Sequence, residues 1–404
     1  MMSSSFNPPI YLDHAATTTM TPAALEAMTR ELAQTGNPSS LHTSGRRGHR
    51  VMEEARERIA RAVGAHATEI IFTSGGTEAD NLALKGLYWS RVAEDPRRKR
   101  ILLTGIEHHA VLDTAEWLEA HEGAELDIIP VDLDGRVEMA ALETAVAREP
   151  ETIALVTLMW ANNEVGTVEP VADVVAVASQ YSIPVHTDAV QAFGSVPVSF
   201  AESGVATMAI SAHKIGGPVG IGALVVRRDI KLTPVQHGGG HERSLRSGTL
   251  NAAAAVGFAA AAEEAVQNLD SEYERIASLR DALIAGVEER IPEASLNGSR
   301  DATHRGERLP GNVHFTFPGC EGDTLLFLLD TVGLQTSTGS ACTAGVARAS
   351  HVLLAMGRTD EDARSVQRIT LGHTSGPKDV EAVLSVISDV YARSKAAGMA
   401  AGHR

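Results

Sequence analysis

Glu69-Ile70-Ile71-Phe72-Thr73-Ser74-Gly75-Gly76-Thr77-Glu78 begins as a short apolar run and ends in a loop of small residues. A run this short and this apolar reads as a strand buried on both faces. Thr73 to Glu78 then links the strand to a helix opening near Glu78. The same run recurs at Ile101–Thr104, Ile153–Leu158 and Ile183–His186. Helical patterns such as Val51–Val63 and Val171–Tyr181 alternate with these strands. Such alternation predicts an α/β fold with a parallel sheet covered by helices. Ligands of such folds bind beyond the carboxyl ends of the strands.

From about Asn268 the pattern changes. A long polar helix is expected to about Arg290, then strands at Gly311–Phe317 and Gln367–Leu371. The last third thus reads as a smaller α+β domain. Residues 18–268 are expected to form the large domain, with 1–17 and 269–404 in the small one. The Ala- and Gly-rich tail, Ser394–Arg404, is expected to be mobile.

The 404 residues suffice for more than one core. Hydrophobic residues make up 44% and charged residues 21%, so the chain is globular rather than disordered. A formal net charge of −16 repels phosphate backbones, which argues against nucleic acid as a partner. With 2 cysteines, Cys320 and Cys342, a disulfide scaffold is excluded and a reducing cytoplasm is expected. The N-terminal MMSSSFNPPI lacks a basic stretch followed by an apolar one, so it does not read as a signal peptide. The longest apolar run, Ala252–Ala262, is too short to span a bilayer and reads as a packed helix.

Five motifs follow predicted strands. Ser211-Ala212-His213-Lys214 precedes a glycine-rich segment, Gly216 to Gly222. A lysine amine with a lowered pKa forms a Schiff base with an aldehyde cofactor such as pyridoxal 5′-phosphate. A lone lysine is far more often a solvated surface residue. Thr73 to Glu78 offers N–H groups and hydroxyls at a helix N-terminus, suited to phosphate. No Gly-Lys-Ser/Thr follows, so it is not a P-loop. Asp188, in His186-Thr187-Asp188-Ala189-Val190-Gln191, is placed to pair with a pyridinium nitrogen, though a helix N-cap is the ordinary use. Glu107-His108-His109 offers a ring to stack on a cofactor or to move protons. Asn162-Asn163-Glu164-Val165-Gly166 offers an amide to a ring oxygen. His237 and His241 have metal-ligand spacing, but Gly238-Gly239-Gly240 between them precludes the helix this needs, so no metal is expected.

In the last third, Ser337 to Gly345 consists almost entirely of small residues around Cys342. A cysteine on such a loop is suited to act as a nucleophile that travels. Cys320 reads as inert. Arg368 has the planar fork that clamps a carboxylate, or else forms a surface ion pair.

Taken in order, these motifs resemble the cysteine desulfurases of the NifS/IscS type, within the class V aminotransferase group. The resemblance runs from Tyr11-Leu12-Asp13-His14-Ala15-Ala16-Thr17-Thr18 to Arg368-Ile369-Thr370-Leu371-Gly372. It takes in Gly36-Asn37-Pro38-Ser39-Ser40, Gly238-Gly239-Gly240-His241-Glu242 and Arg246-Ser247-Gly248-Thr249. It implies PLP fold type I, the aspartate-aminotransferase-like arrangement, and a homodimer. Lys214 would carry the cofactor. Gly76, Thr77, Ser211 and His213 would hold its phosphate, with Thr249 reaching in from the partner subunit. Asp188 would pair with the ring nitrogen, and Asn163 and Gln191 with the ring oxygen. His108 would stack and shuttle protons, Arg368 would bind the L-cysteine carboxylate, and Cys342 would take the sulfur as a persulfide.

Three departures bear on the acceptor rather than the chemistry. Gly345-Val346-Ala347-Arg348-Ala349 lacks the Glu-Pro of the nearest relatives. His373 stands where Arg is usual. The tail does not resemble the end that docks an iron–sulfur scaffold in the IscS branch. An iron–sulfur scaffold remains one expected acceptor among several. The competing readings are a selenocysteine lyase, a small-substrate transaminase, and a non-enzymatic sulfur-carrier scaffold.

Overall fold

A computed structural model describes residues 6–300, 306–339 and 349–401. In chain order the first half runs β1 (Ile10–Tyr11), α1 (Pro22–Leu32), α2 (Thr43–Val63), β2 (Ile70–Thr73), α3 (Gly76–Glu94), β3 (Arg100–Thr104), α4 (His109–Glu122), β4 (Glu125–Ile129), α5 (Met139–Ala147), β5 (Ile153–Thr157), α6 (Val171–Ser179) and β6 (Val185–Asp188). It continues through α7 (Phe200–Ser203), β7 (Thr207–Ser211), β8 (Gly222–Val226), α8 (Ala252–Gln267) and α9 (Leu269–Arg290). The last part holds β9 (Ser295–Leu296), β10 (Asn312–Thr316), α10 (Gly322–Thr331), β11 (Leu334–Gln335), α11 (His351–Ala355), α12 (Asp360–Arg364), β12 (Val366–Thr370) and α13 (Pro377–Ala401).

The large sheet has the order β2-β8-β7-β6-β5-β3-β4. Pairings from β7 to β4 are parallel. β8 runs against both its neighbours, β7 and β2. Glu69–Phe72, expected as a parallel strand of a mostly parallel sheet, instead pairs antiparallel with β8. Only residues 212–221 join β7 to β8. A parallel neighbour needs a crossover of about a dozen residues or more, so β8 returns antiparallel. β2, on the far side of β8, regains the direction of the others.

Side chains of one strand alternate between two cores. Phe72, Leu102, Val156 and Ile210 face one, with residues of α2 and α8. Ile71, Ile101, Leu103 and Leu224 face the other, with residues of α3 and α4. Burial on both faces explains why these strands read as unbroken apolar runs. A separate core gathers Leu12, Phe315, Phe317, Leu329 and Ile387, around a three-stranded antiparallel sheet ordered β12-β10-β9.

Two element boundaries differ from expectation. α2 begins at Thr43 rather than Val51, because its first turns bury glycines, Gly45 and Gly48, instead of an apolar stripe. The tail expected to be mobile from Ser394 is helix as far as Ala401, with Ser394 fully buried. Alanine, the strongest helix former, lets α13 run on. No helix among the described residues is long and apolar enough to cross a membrane.

Candidate active site

The carboxyl ends of β3, β5, β6 and β7 converge. β7 ends at Ser211, and a single tight turn, Ala212–Lys214, carries the lysine forward. Lys214 Nζ donates to the carbonyls of Ala15 and Ala16, the latter at 2.9 Å. Burial pushes its pKa down to about 8, and the Arg368 guanidinium adds to this; Asp188 and Asp13 oppose it. Asp188 closes β6 and is 6% exposed. Burial raises its pKa, while His108 and Lys214 hold it back. One of its oxygens accepts from the Val190 N–H at 2.8 Å, a local turn rather than a helix cap.

His108 caps α4, its Nδ1 accepting from the Ala110 N–H at 3.1 Å, and its ring stays open to solvent. The protein around it lowers its pKa; Asp188 works against this and Lys214 with it. The imidazole is therefore neutral near pH 7 and able both to accept and to donate a proton.

The phosphate motif forms a cradle. Gly75 is the N-cap of α3, so the N–H groups of its first turn lack helical partners. A Cβ at Gly76 would come within 2.7 Å of the Val190 side chain, which puts the cradle against the turn after Asp188. A Cβ at Gly222 would meet the Ile210 carbonyl at 2.7 Å and Gly75 Cα at 2.9 Å. Ser211 Oγ and Thr187 Oγ1 are buried without a hydrogen-bond partner. His213 Nδ1 lies 3.3 Å from Thr17 Oγ1, and burial with Lys214 lowers its pKa to about 4. Thr77 and Thr249 are exposed.

Unpartnered donors at a helix N-terminus, an orphaned serine hydroxyl, a lysine with a depressed pKa and a buried carboxyl fit an aldehyde cofactor that carries a phosphate. Gln191 Nε2 donates at 2.9 Å to the same Ala15 carbonyl that Lys214 uses, so the two side chains meet. Of the two asparagines, Asn162 is fully committed: Nδ2 donates to Ile106 O and Oδ1 accepts from Glu164 and Val165 N–H, each at 2.9 Å. Asn163 stands next in the loop, its carbonyl accepting from Arg368 at 2.9 Å.

Arg368 comes from β12 of the smaller sheet. Its Nη2 donates to Asp13 at 2.8 Å, and its Nε is buried without a partner. A cavity of ~360 Å³ opens beside this group, lined by Lys214, Gln191, His14, Asn312, Thr370 and His373 among others. Cys342 lies outside the described residues. Cys320 is buried at 3% exposure, and burial raises its thiol pKa. His241 is engaged by Ser39 Oγ at 3.0 Å and the Gly248 N–H at 3.3 Å.

Sequence reasoning missed the polar layer beneath the site. His186 lies 2.9 Å from Thr207 Oγ1 and 3.2 Å from Asp80. Burial lowers the His186 pKa to about 3, and burial with Asp188 and Glu107 raises that of Asp80. Both directions disfavour the charged forms, so an ion pair is disfavoured at this contact. Glu107 is fully buried, with its pKa pushed up to about 8 by burial. Its Oε1 accepts from the Met159 N–H at 2.9 Å, and its Oε2 has no partner. The signal for Glu107 was its place just after a buried strand; Asp80 and Asp13 carried none.

Comparison with known proteins gives a consistent set of likenesses. The pattern of the family described as Aminotransferase class-V matches residues 10–383. The chain is 52% identical over 391 residues to the "IscS-like cysteine desulfurase" of Mycobacterium tuberculosis, covering 97% of this chain and 98% of the relative. A solved structure described as a NifS-like protein superposes with a TM-score of 0.86 at 35% identity, covering 95% of this chain and 99% of the other. Another, "SspA in complex with cysteine", gives a TM-score of 0.74 at 33% identity, covering 89% and 98%.

Proposed function

The chain belongs to the class-V aminotransferases, and from that premise we propose that it is a pyridoxal-phosphate-dependent cysteine desulfurase. It removes sulfur from L-cysteine, releases L-alanine and leaves a persulfide on Cys342. The observation that carries the reading is Lys214, whose amine meets Gln191 at the Ala15 carbonyl and has its pKa lowered by burial and by Arg368. The activities named for the relatives, cysteine desulfurases, support the same reading.

Lys214 would attach the cofactor. Gly76, Thr77, Ser211 and His213 would hold its phosphate, with Thr249 of the partner subunit completing the set. Asp188 would pair with the ring nitrogen, and Asn163 and Gln191 with the ring oxygen. Bound pyridoxal phosphate supplies the electron sink that lets the substrate α-proton leave. Lys214, as a neutral amine, takes that proton. His108 would stack on the bound cofactor and move protons. Arg368 binds the substrate carboxylate; its unpartnered Nε offers one of the two N–H groups of a bidentate contact. The Cys342 thiolate then attacks the substrate sulfur. The S–S bond forms, the C–S bond breaks, and the carbon framework takes up protons to leave as alanine.

The enzyme works as a homodimer in the cytoplasm, and the persulfide passes to an acceptor such as an iron–sulfur scaffold. The exposed leucines Leu25, Leu32 and Leu41 support self-association. The large domain spans 18–268 and the small one 1–17 and 269–404, a division supported by the separate cores. The test is alanine release from L-cysteine with two variants. Cys342→Ala keeps bound cofactor and stops sulfur transfer to a protein acceptor, whereas Lys214→Ala loses the covalently attached cofactor. Sulfur transfer that survives Cys342→Ala overturns the nucleophile assignment.

A further inference from the structure

Between β8 and α8, Glu242, Arg243 and Ser244 have φ values of 45°, 58° and 61°. Three successive non-glycine residues in the left-handed region are held there against their intrinsic preference. A buried ion pair holds them. The Glu242 side chain is 1% exposed and accepts two hydrogen bonds from Arg56, at 2.7 and 2.8 Å. Glu242 Oε2 also accepts from the Phe72 N–H at 2.7 Å, and Arg56 donates to the Ile70 carbonyl at 2.7 Å. Phe72 immediately precedes the phosphate cradle.

Four residues on, Arg246 reaches the other side of the cradle. Its Nε donates to Glu78 Oε1 at 2.8 Å and its Nη2 to Oε2 at 3.3 Å. Glu78 Oε2 in turn accepts from the Ser74 N–H at 2.6 Å. Burial disfavours the Glu78 carboxylate, but the Arg246 hydrogen bond outweighs it and the pKa falls below its ordinary value. An ionised acid one residue from a phosphate site repels the phosphate unless it is paired, and Arg246 pairs it. By occupying the Ser74 N–H, Glu78 also leaves Gly75, Gly76 and Thr77 as the donors that face a ligand.

We propose that Glu242 and Arg246 are positioning residues for the phosphate, gripping the cradle before and after residues 74–77 and fixing its donors. The proposal rests on the cradle reading above. The strained turn exists because Glu242 and Arg246 must reach Phe72 and Glu78 from one short segment.

Apo-protein titrated with pyridoxal 5′-phosphate and with pyridoxal, which lacks the phosphate, tests this. Arg246→Ala weakens pyridoxal 5′-phosphate binding about tenfold and leaves pyridoxal within about twofold, while Arg246→Lys restores most of the loss. Glu242→Gln shows the same selectivity if it folds; Arg246 decides the matter if it does not. Equal weakening of both ligands makes the pair a structural staple and overturns the proposal, as does unchanged binding of both. A wild-type protein that binds the two ligands equally well overturns the cradle reading itself, before any variant is made.

Discussion

Lys214 is a half-buried base and Glu107 a fully buried acid, and their pKa values shift in opposite directions. The Lys214 pKa of about 8 lies below its ordinary 10.5, so its amine becomes available as pH rises through about 8. Cofactor capture by the apo-protein should therefore rise with a midpoint near 8. Arg368→Gln removes a cation that disfavours the ammonium and should move the midpoint up. A wild-type midpoint near 10 in stopped-flow absorbance would contradict the burial argument. The Glu107 pKa is raised from 4.5 to about 8, so the folded state holds an extra proton between those values. Its burial then costs nothing below pH 4.5 and costs most above pH 8. Glu107→Gln removes that cost, so the variant should gain Tm over wild type as pH rises from 4.5 to 8. A pH-independent difference would contradict it. Lys214 was legible because a local motif marks it, Ser211-Ala212-His213-Lys214 before a glycine-rich segment, although the groups its amine meets, Ala15 and Ala16, lie nearly two hundred residues away. Asp80 was not, since its partner His186 lies 106 residues away and nothing local marks the pair.

At the scale of elements, β8 ties the sheet to the site. Gly222 opens β8 directly beneath Gly75, and a methyl group there collides with backbone on two sides. Gly222→Ala should destabilise the protein by about 1–3 kcal/mol and weaken phosphate binding with it. Unchanged melting and unchanged cofactor affinity would show that the cradle does not depend on this contact. The parallel strands were legible from their apolar runs, because helices bury both faces. The reversal of β8 was not, since the glycine-rich connection hid the strand behind it. The first turns of α2 were hidden for a similar reason: they pack by glycine and leave no apolar period.

At the scale of the molecule, the N-terminal segment stitches the smaller sheet to the lysine turn. Asp13 pairs with Arg368 of β12, while the Thr18 N–H donates to the His213 carbonyl at 3.0 Å and the Thr21 N–H to Gly216 at 2.8 Å. Leu12 meanwhile sits in the smaller core. The reading also requires two copies, because Thr249 is assigned to the partner's phosphate. Sedimentation equilibrium should return twice the 42.6 kDa of one chain. Leu41, 89% exposed, is a direct probe: Leu41→Asp should yield monomers that hold cofactor more weakly. A monomeric wild-type protein with full cofactor affinity would remove Thr249 from the site.

On the proposed function, sulfur leaves L-cysteine onto Cys342. One turnover of cofactor-loaded enzyme with L-cysteine, followed by alkylation and mass spectrometry of the peptide containing Cys342, tests it most directly. One additional sulfur on Cys342, matched by an equal amount of alanine and absent from Cys320, is the expected result. Alanine formed with Cys342 unmodified, or the extra sulfur found on Cys320, would contradict it.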